Sequence, residues 1–298
     1  MQNEDDISRT LFTIRDYIRY AMSRFTQSGA YYGHGTDNAW DEAVQLIFFL
    51  LHMPPEADQR VLDSRLTVEE RKLIIRMVEN RCIDRIPLPY ITGRAFFAGL
   101  EFKVDERALI PRSPIAELIE RDFAPWVSVP PDRVLDLCCG GGCIGIAIAA
   151  RIEGTVTLAD ISEDALRLAE QNTALHDLSD CVETIHSDLF ANVEGKFQLI
   201  ASNPPYVDAE DLASMPSEYK HEPQLGLEAG ADGLDLARRI LAEAKDHLTD
   251  DGILVMELGN SGHNLQLAYP DIPWTWAEFE RGGHGVLVIS RSELEQYF

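Results

Sequence analysis

The stretch RVLDLCCGGGCIGIAIAARIEGTVTLAD, Arg133 to Asp160, decides the fold. Its first six residues, RVLDLC, are mostly apolar and suit a buried strand. Glycines at 140, 141, 142 and 145 then make a turn into an apolar helical segment, and TVTLAD reads as a second strand. Outward from there the rhythm repeats. VETIHSD (182–188), FQLIAS (197–202), GILVMEL (252–258), WTWAEF (274–279) and GVLVIS (285–290) read as further strands. Helical stretches such as SEDALRLAEQNTALH (162–176) and GLDLARRILAEAKDHL (233–248) separate them. Alternation of this kind predicts an α/β fold, a parallel sheet of seven strands with helices on both faces. Such sheets bind ligands outside the carboxyl ends of their strands, near the point where strand order reverses.

Upstream the period changes. LFTIRDYIRYAMSRF (11–25) carries Leu11, Ile14, Ile18, Met22 and Phe25 at helical spacing. NAWDEAVQLIFFLLH (38–52) and TVEERKLIIRMVENRC (67–82) repeat the pattern, with Asn38 and Thr67 as N-caps and Glu70 completing a capping box. FFAGLEFKVDERALIPR (96–112) reads as a hairpin turning at Gly99. The expected division is therefore a helical domain over 1–90, a β-hairpin linker over 91–112 and an α/β domain over 113–298.

Composition narrows the function. The chain has 298 residues and a formal net charge of -24. A surface that acidic repels phosphate backbones, so stable nucleic-acid binding is not expected, whereas a basic partner would be attracted over a Debye length of ~8 Å. Acidity also serves solubility alone. No apolar run reaches the roughly 18 residues of a membrane span, and the start MQNEDDISRT is unlike a secretory leader, so the expected location is cytoplasmic. Cys138, Cys139 and Cys143 crowd into one glycine-rich loop without a C-x-x-C pair or zinc spacing, so no metal is expected.

The strand ends carry the candidate chemistry. Gly140, Gly142 and Gly145 satisfy G-x-G-x-x-G, a spacing that lets backbone approach a cofactor closely. Asp160, closing the second strand, suits both hydroxyls of an adenosine ribose, which NAD and S-adenosylmethionine share. Asp188 suits an adenine amino group, and Asp136 either orients the loop or meets an ammonium. Three carboxylates around one loop favour a cationic amine and sulfonium over a pyrophosphate, hence S-adenosyl-L-methionine, released as S-adenosyl-L-homocysteine.

The fourth strand delivers Asn203-Pro204-Pro205-Tyr206. The prolines stiffen the backbone and offer no N–H. What can face a pocket is acceptors, the Asn203 side-chain oxygen and the Pro204 carbonyl, with the Tyr206 ring to pack on a planar group. That set fits an –NH2 conjugated to a π-system, as in glutamine, adenine or cytosine. Taking up its hydrogens orients a poor nucleophile toward a methyl group, and positioning of this kind can lower a barrier by as much as ~7–11 kcal/mol.

Taken together, DLCCGGGCIGIAIA, ADISEDAL, SDLF and SNPPYV resemble the successive motifs of Rossmann-like S-adenosylmethionine methyltransferases, specifically the protein-(glutamine-N5) methyltransferases. LIPRSPIAELIE, HEPQLGLEAGADGLDLARRI and MELGNS extend the likeness, and YYGHGTDNAWDEAVQL is similar to the branch acting on the third protein of the large ribosomal subunit. The resemblance covers nearly the whole chain. It implies cofactor contacts from Asp136, Cys138, Gly140, Gly142, Asp160, Asp188, Leu189 and Asn203. It also implies that Asn203, Pro204, Pro205 and Tyr206 hold the substrate glutamine, with Asn203, Pro204 and Tyr206 as the catalytic set. A basic large-subunit ribosomal protein is the implied partner. Cys138 and Cys139 depart from the Gly and Thr usual in that loop. Arg112 and His221-Glu222-Pro223 fall in family motifs and are expected only to shape the pocket mouth. The helices and the hairpin from Ala95 to Val104 are expected to form a substrate-selecting wall over Tyr206. Two alternatives compete: a DNA or RNA amino-methyltransferase acting on adenine N6, and a non-catalytic cofactor-binding ribosome-assembly protein.

Overall fold

The structure, a computed structural model, describes residues 4–298, so the first three residues of the acidic start lie outside the described residues. The chain forms two compact units. One comprises the chain up to Arg94 together with Pro216–His221, and the other comprises Ala95–Met215 and Glu222–Phe298. The excursion at 216–221 departs from the continuous division at 90 and 112.

In the helical unit, Thr13 caps the helix Ile14–Ser28 in a box with Asp16, which starts that helix three residues later than the apolar stripe suggests. Leu11 lies before the cap; Ile14, Ile18 and Phe25 are buried as expected, alongside Tyr17 and Ala21. Asn38 caps Ala39–Leu50, and Thr67 with Glu70 boxes the start of Val68–Glu79. The helix Val68–Glu79 then widens into a π-turn, Asn80–Asp84, which turns Arg81 inward until only 1% of it is exposed. Arg81 donates through Nε to Glu42, through Nη1 to Glu218 Oε1 at 2.9 Å and through Nη2 to the Tyr31 carbonyl at 2.6 Å. Glu218 also accepts the Tyr31 amide at 2.9 Å. Two carboxylates and a carbonyl around one guanidinium are the satisfaction a buried charge requires. They are also why Pro216–His221 belongs to this unit.

The second unit opens with the hairpin β1 (Arg94–Phe97) and β2 (Leu100–Lys103), turned at Ala98 and Gly99 with φ of 47° and 82°. Its main sheet comprises β3 (Arg133–Leu137), β4 (Thr155–Asp160), β5 (Val182–His186), β6 (Phe197–Ser202), β7 (Leu248–Glu257), β8 (Thr275–Trp276) and β9 (Val286–Ser290). Strand order is β5-β4-β3-β6-β7-β9-β8. β3 to β7 run parallel, but β9 is antiparallel to β7 and β8 to β9, which corrects the all-parallel expectation. The stretch WTWAEF keeps only the two residues of β8 in the sheet, at its edge. From β3 the chain builds outward through β4 to β5, then returns to place β6 on the other side of β3. The crevice at the carboxyl ends of β3 and β6 is thus the switch point. Leu135, Leu137, Ile200, Leu254 and Met256 are fully buried in the core beneath it.

Candidate active site

Beyond β3 the backbone turns through Cys138 (φ 61°), Gly140 (φ 53°) and Gly142 (φ 81°). Cys138 thus adopts the conformation that glycine takes freely, at a cost of about 1–2 kcal/mol for a side-chain-bearing residue. Burial pushes the thiols of Cys138, Cys139 and Cys143 up, which disfavours the thiolate form of each. A Cβ at Gly145 would come within 2.2 Å of Leu158 and 2.9 Å of the Asp136 Cβ, so this glycine exists for close helix-to-sheet packing.

Asp136 lies fully buried in β3. Its Oδ2 accepts the Gly145 amide at 2.7 Å, while Oδ1 has no partner among the described residues. Burial, helped by the charge of Asp160, pushes this carboxyl up to about 7. Asp160 closes β4 half-buried and grips the loop, accepting the Gly140 amide on Oδ2 and the Ser162 amide on Oδ1, each at 2.8 Å. Burial raises its pKa against those two bonds. Ser162 caps the following helix, Glu163–Leu175, by accepting the Ala165 amide. After β5, Asp188 pairs with Arg239 at 3.0 Å, and Leu189 takes a φ of 50° with its carbonyl accepting the Ser187 hydroxyl at 2.6 Å.

β6 ends at Ser202, whose Oγ donates to the Leu137 carbonyl at 2.7 Å and so ties the ends of β6 and β3 together. Asn203 follows at once. Neither its side-chain amide nor the Pro204 carbonyl bonds to another described residue, whereas Pro204 and Pro205 are buried. Tyr206 is held at three points. Its hydroxyl donates to Glu257 Oε1 at 2.8 Å, its carbonyl accepts the Ser261 hydroxyl at 2.6 Å, and its ring lies where a Cβ on Gly259 would meet it at 2.7 Å. Beyond it, Val207 donates to the Leu227 carbonyl and accepts from Ala229.

Several participants escape sequence reasoning. Glu257 ends β7 only 5% exposed, its Oε2 taking the Ser113 hydroxyl at 2.5 Å. A carboxylate closing an apolar strand is the signal that marks it. Asn172, a polar residue on the inner face of the helix Glu163–Leu175, accepts the Lys103 amide at 2.8 Å. It also donates to the Lys103 carbonyl at 3.1 Å and the Gly141 carbonyl at 2.9 Å. It joins the hairpin to the glycine loop. Arg112 pairs with Glu222 at 2.7 Å and donates to the Ile110 carbonyl at 3.1 Å. His221 bonds the Asp84 carbonyl at 2.7 Å inside the helical unit.

Residues 124–216 match the methyltransferase small domain family. Over 300 residues the chain is 52% identical to the ribosomal protein uL3 glutamine methyltransferase of Francisella tularensis, covering 99% of this chain and 96% of that protein. A protein of the same name from Xylella fastidiosa is 46% identical over 291 residues, covering 95% and 92%. Among solved structures, the hMettl16 catalytic domain in complex with MAT2A 3'UTR hairpin 6 superposes with a TM-score of 0.50 at 17% identity, covering 74% of this chain and 81% of that one. That likeness is one of fold.

Proposed function

Because the chain belongs to the ribosomal protein uL3 glutamine methyltransferases, we propose that it moves a methyl group from S-adenosylmethionine to the side-chain amide nitrogen of a glutamine in uL3. The observation that carries the reading is the pair of unbonded acceptors at Asn203 and Pro204, set at the sheet's switch point. The name shared by these relatives favours it over the nucleic-acid and non-catalytic alternatives.

The residues fit that cofactor. Asp136 Oδ1 is a buried acceptor without a partner, suited to an ammonium, and a Cβ on Gly140 would have only the Ala108 Cβ near it, at 3.7 Å. The Cys138–Gly142 loop, Asp160 and the Asp188–Leu189 turn complete the cradle. When bound, S-adenosylmethionine supplies an electrophilic methyl on a sulfonium and leaves as S-adenosylhomocysteine. The Asn203 side-chain oxygen and the Pro204 carbonyl take the two amide hydrogens, so that the nitrogen lone pair faces the methyl and the positive charge developing on nitrogen is stabilised. The added proton acidity of the methylated nitrogen lets it release a proton to solvent without a strong base. Tyr206 supplies a flat surface for the amide.

We assign the helical unit to choosing the protein substrate. It has capped, amphipathic helices and a buried core but, among its described residues, no glycine loop or metal cluster. The formal net charge of -24 suits a basic ribosomal protein, and association is expected to slow as salt rises. From such a substrate we infer a cytoplasmic location. Incubating the purified chain with uL3 and methyl-labelled cofactor tests the reading: label on a glutamine-containing peptide is expected, and label on RNA or on no macromolecule overturns it.

A further inference from the structure

Two motifs flanking the methyltransferase core, LIPRSP and MELGNS, meet at Glu257, which also holds Tyr206. Glu257 stands between two hydroxyls, Tyr206 Oη at 2.8 Å and Ser113 Oγ at 2.5 Å, one on each carboxylate oxygen. Ser113 Oγ already accepts the Ile115 amide at 3.1 Å, so its own hydrogen is free for Glu257. A protonated acid has one hydrogen for two hydroxyls, whereas a carboxylate accepts from both. Burial raises the pKa of Glu257, and the bonds from Ser113 and Tyr206, followed by the charge of Arg112, oppose that rise by favouring the carboxylate. With the phenol hydrogen committed to a neighbouring anion, Tyr206 losing its own proton would place two negative charges side by side in a buried site. The ring is meanwhile backed by Gly259, and the main chain is pinned by Ser261.

We propose that Glu257 is a positioning residue for methyl transfer: as a carboxylate it locks the Tyr206 phenol in the donor role, so that Tyr206 serves as a fixed wall beside the substrate nitrogen and not as a base. The inference rests on the methyl-transfer reading above. It also gives Ser113 a place, as the second donor to Glu257.

The test is a double-mutant cycle on the full chain, with kcat, KM for uL3, cofactor affinity and melting temperature read for each variant. Glu257→Gln is expected to lower kcat by on the order of tenfold or more, the worth of a hydrogen bond to a charged group, while KM and cofactor affinity stay near wild type. Tyr206→Phe, which keeps the ring, is expected to lose a similar factor. The double variant is expected to be no worse than the weaker single, because both remove one interaction. Ser113→Ala leaves Glu257 and Tyr206 in place and is expected to lower kcat less, which keeps the test readable should Glu257→Gln melt early. Normal kcat in Glu257→Gln, or losses that multiply in the double variant, would overturn the proposal. So would loss of all turnover in Tyr206→Phe, the behaviour of a missing base. Wild-type labelling of uL3, run alongside, judges the methyl-transfer reading separately.

Discussion

Asp136 accepts the Gly145 amide at 2.7 Å through one oxygen and leaves the other buried without a partner among the described residues. One carboxylate thus seats the helix after the glycine loop and leaves an acceptor suited to the proposed cationic cofactor. Without a ligand its carboxyl is pushed up to about 7.

That shift has a definite sign. An unfolded aspartate titrates near ~3.9, so between there and about 7 the folded chain holds the extra proton. This contribution to stability is present at low pH and falls as pH rises through that window, by at most ~1.4 kcal/mol per pH unit, and is flat above it. A cationic cofactor favours the ionised form, so its affinity is expected to rise over the same window with release of a proton. Asp136→Asn should flatten both curves. Calorimetry in buffers of different ionisation enthalpy reads the proton, and affinity independent of pH in the wild type counts against this role.

Asp160→Ala removes the acceptor of the Gly140 and Ser162 amides along with the carboxylate proposed to meet the ribose. Affinity for S-adenosylhomocysteine is expected to drop by roughly 1.5–3 kcal/mol, as for lost charge-assisted hydrogen bonds. Titration calorimetry measures it. NAD binding to the wild type, with the methionine cofactor silent, would show the cradle to be misread.

Asn203→Ala separates chemistry from cofactor binding. Turnover on uL3 should fall by on the order of 10²–10³, comparable to losing one transition-state hydrogen bond, while cofactor affinity changes far less. A variant with near-normal turnover would remove Asn203 from the reaction.

Glu218→Ala is expected to destabilise the helical unit by about 3–5 kcal/mol, since it breaks a buried ion pair and strands the Tyr31 amide. Denaturant unfolding reads the loss, and limited proteolysis should newly cut between Met215 and Glu222. An unchanged unfolding midpoint would refute the buried-pair account. The same contact bears on truncation: a chain cut at Arg85 loses Arg81 and Tyr31 and leaves Glu218 without them, so point variants of the helical unit test substrate selection more cleanly than deletion.

The alternation of apolar runs and amphipathic stretches was legible in the sequence, because strand and helix periods are local. The strand-end residues Asp160 and Asn203 follow from it, since each closes or directly follows a buried run, and Asp136 lies one residue before the end of another. Thr13 shows the limit even of local reading. The apolar stripe continues past it to Leu11, but a side chain that bonds the Asp16 amide ends the helix there.

Direction and long-range pairing were decided only in three dimensions. A run buried on both faces reads the same either way, so VLVIS gives no sign that β9 lies antiparallel to β7. Ser113 meets Glu257 across 144 positions, and Arg81 meets Glu218 across 137. No period or motif spacing encodes such meetings; they arise because a buried charge or hydroxyl must find a partner, and the packed chain determines which one is within reach.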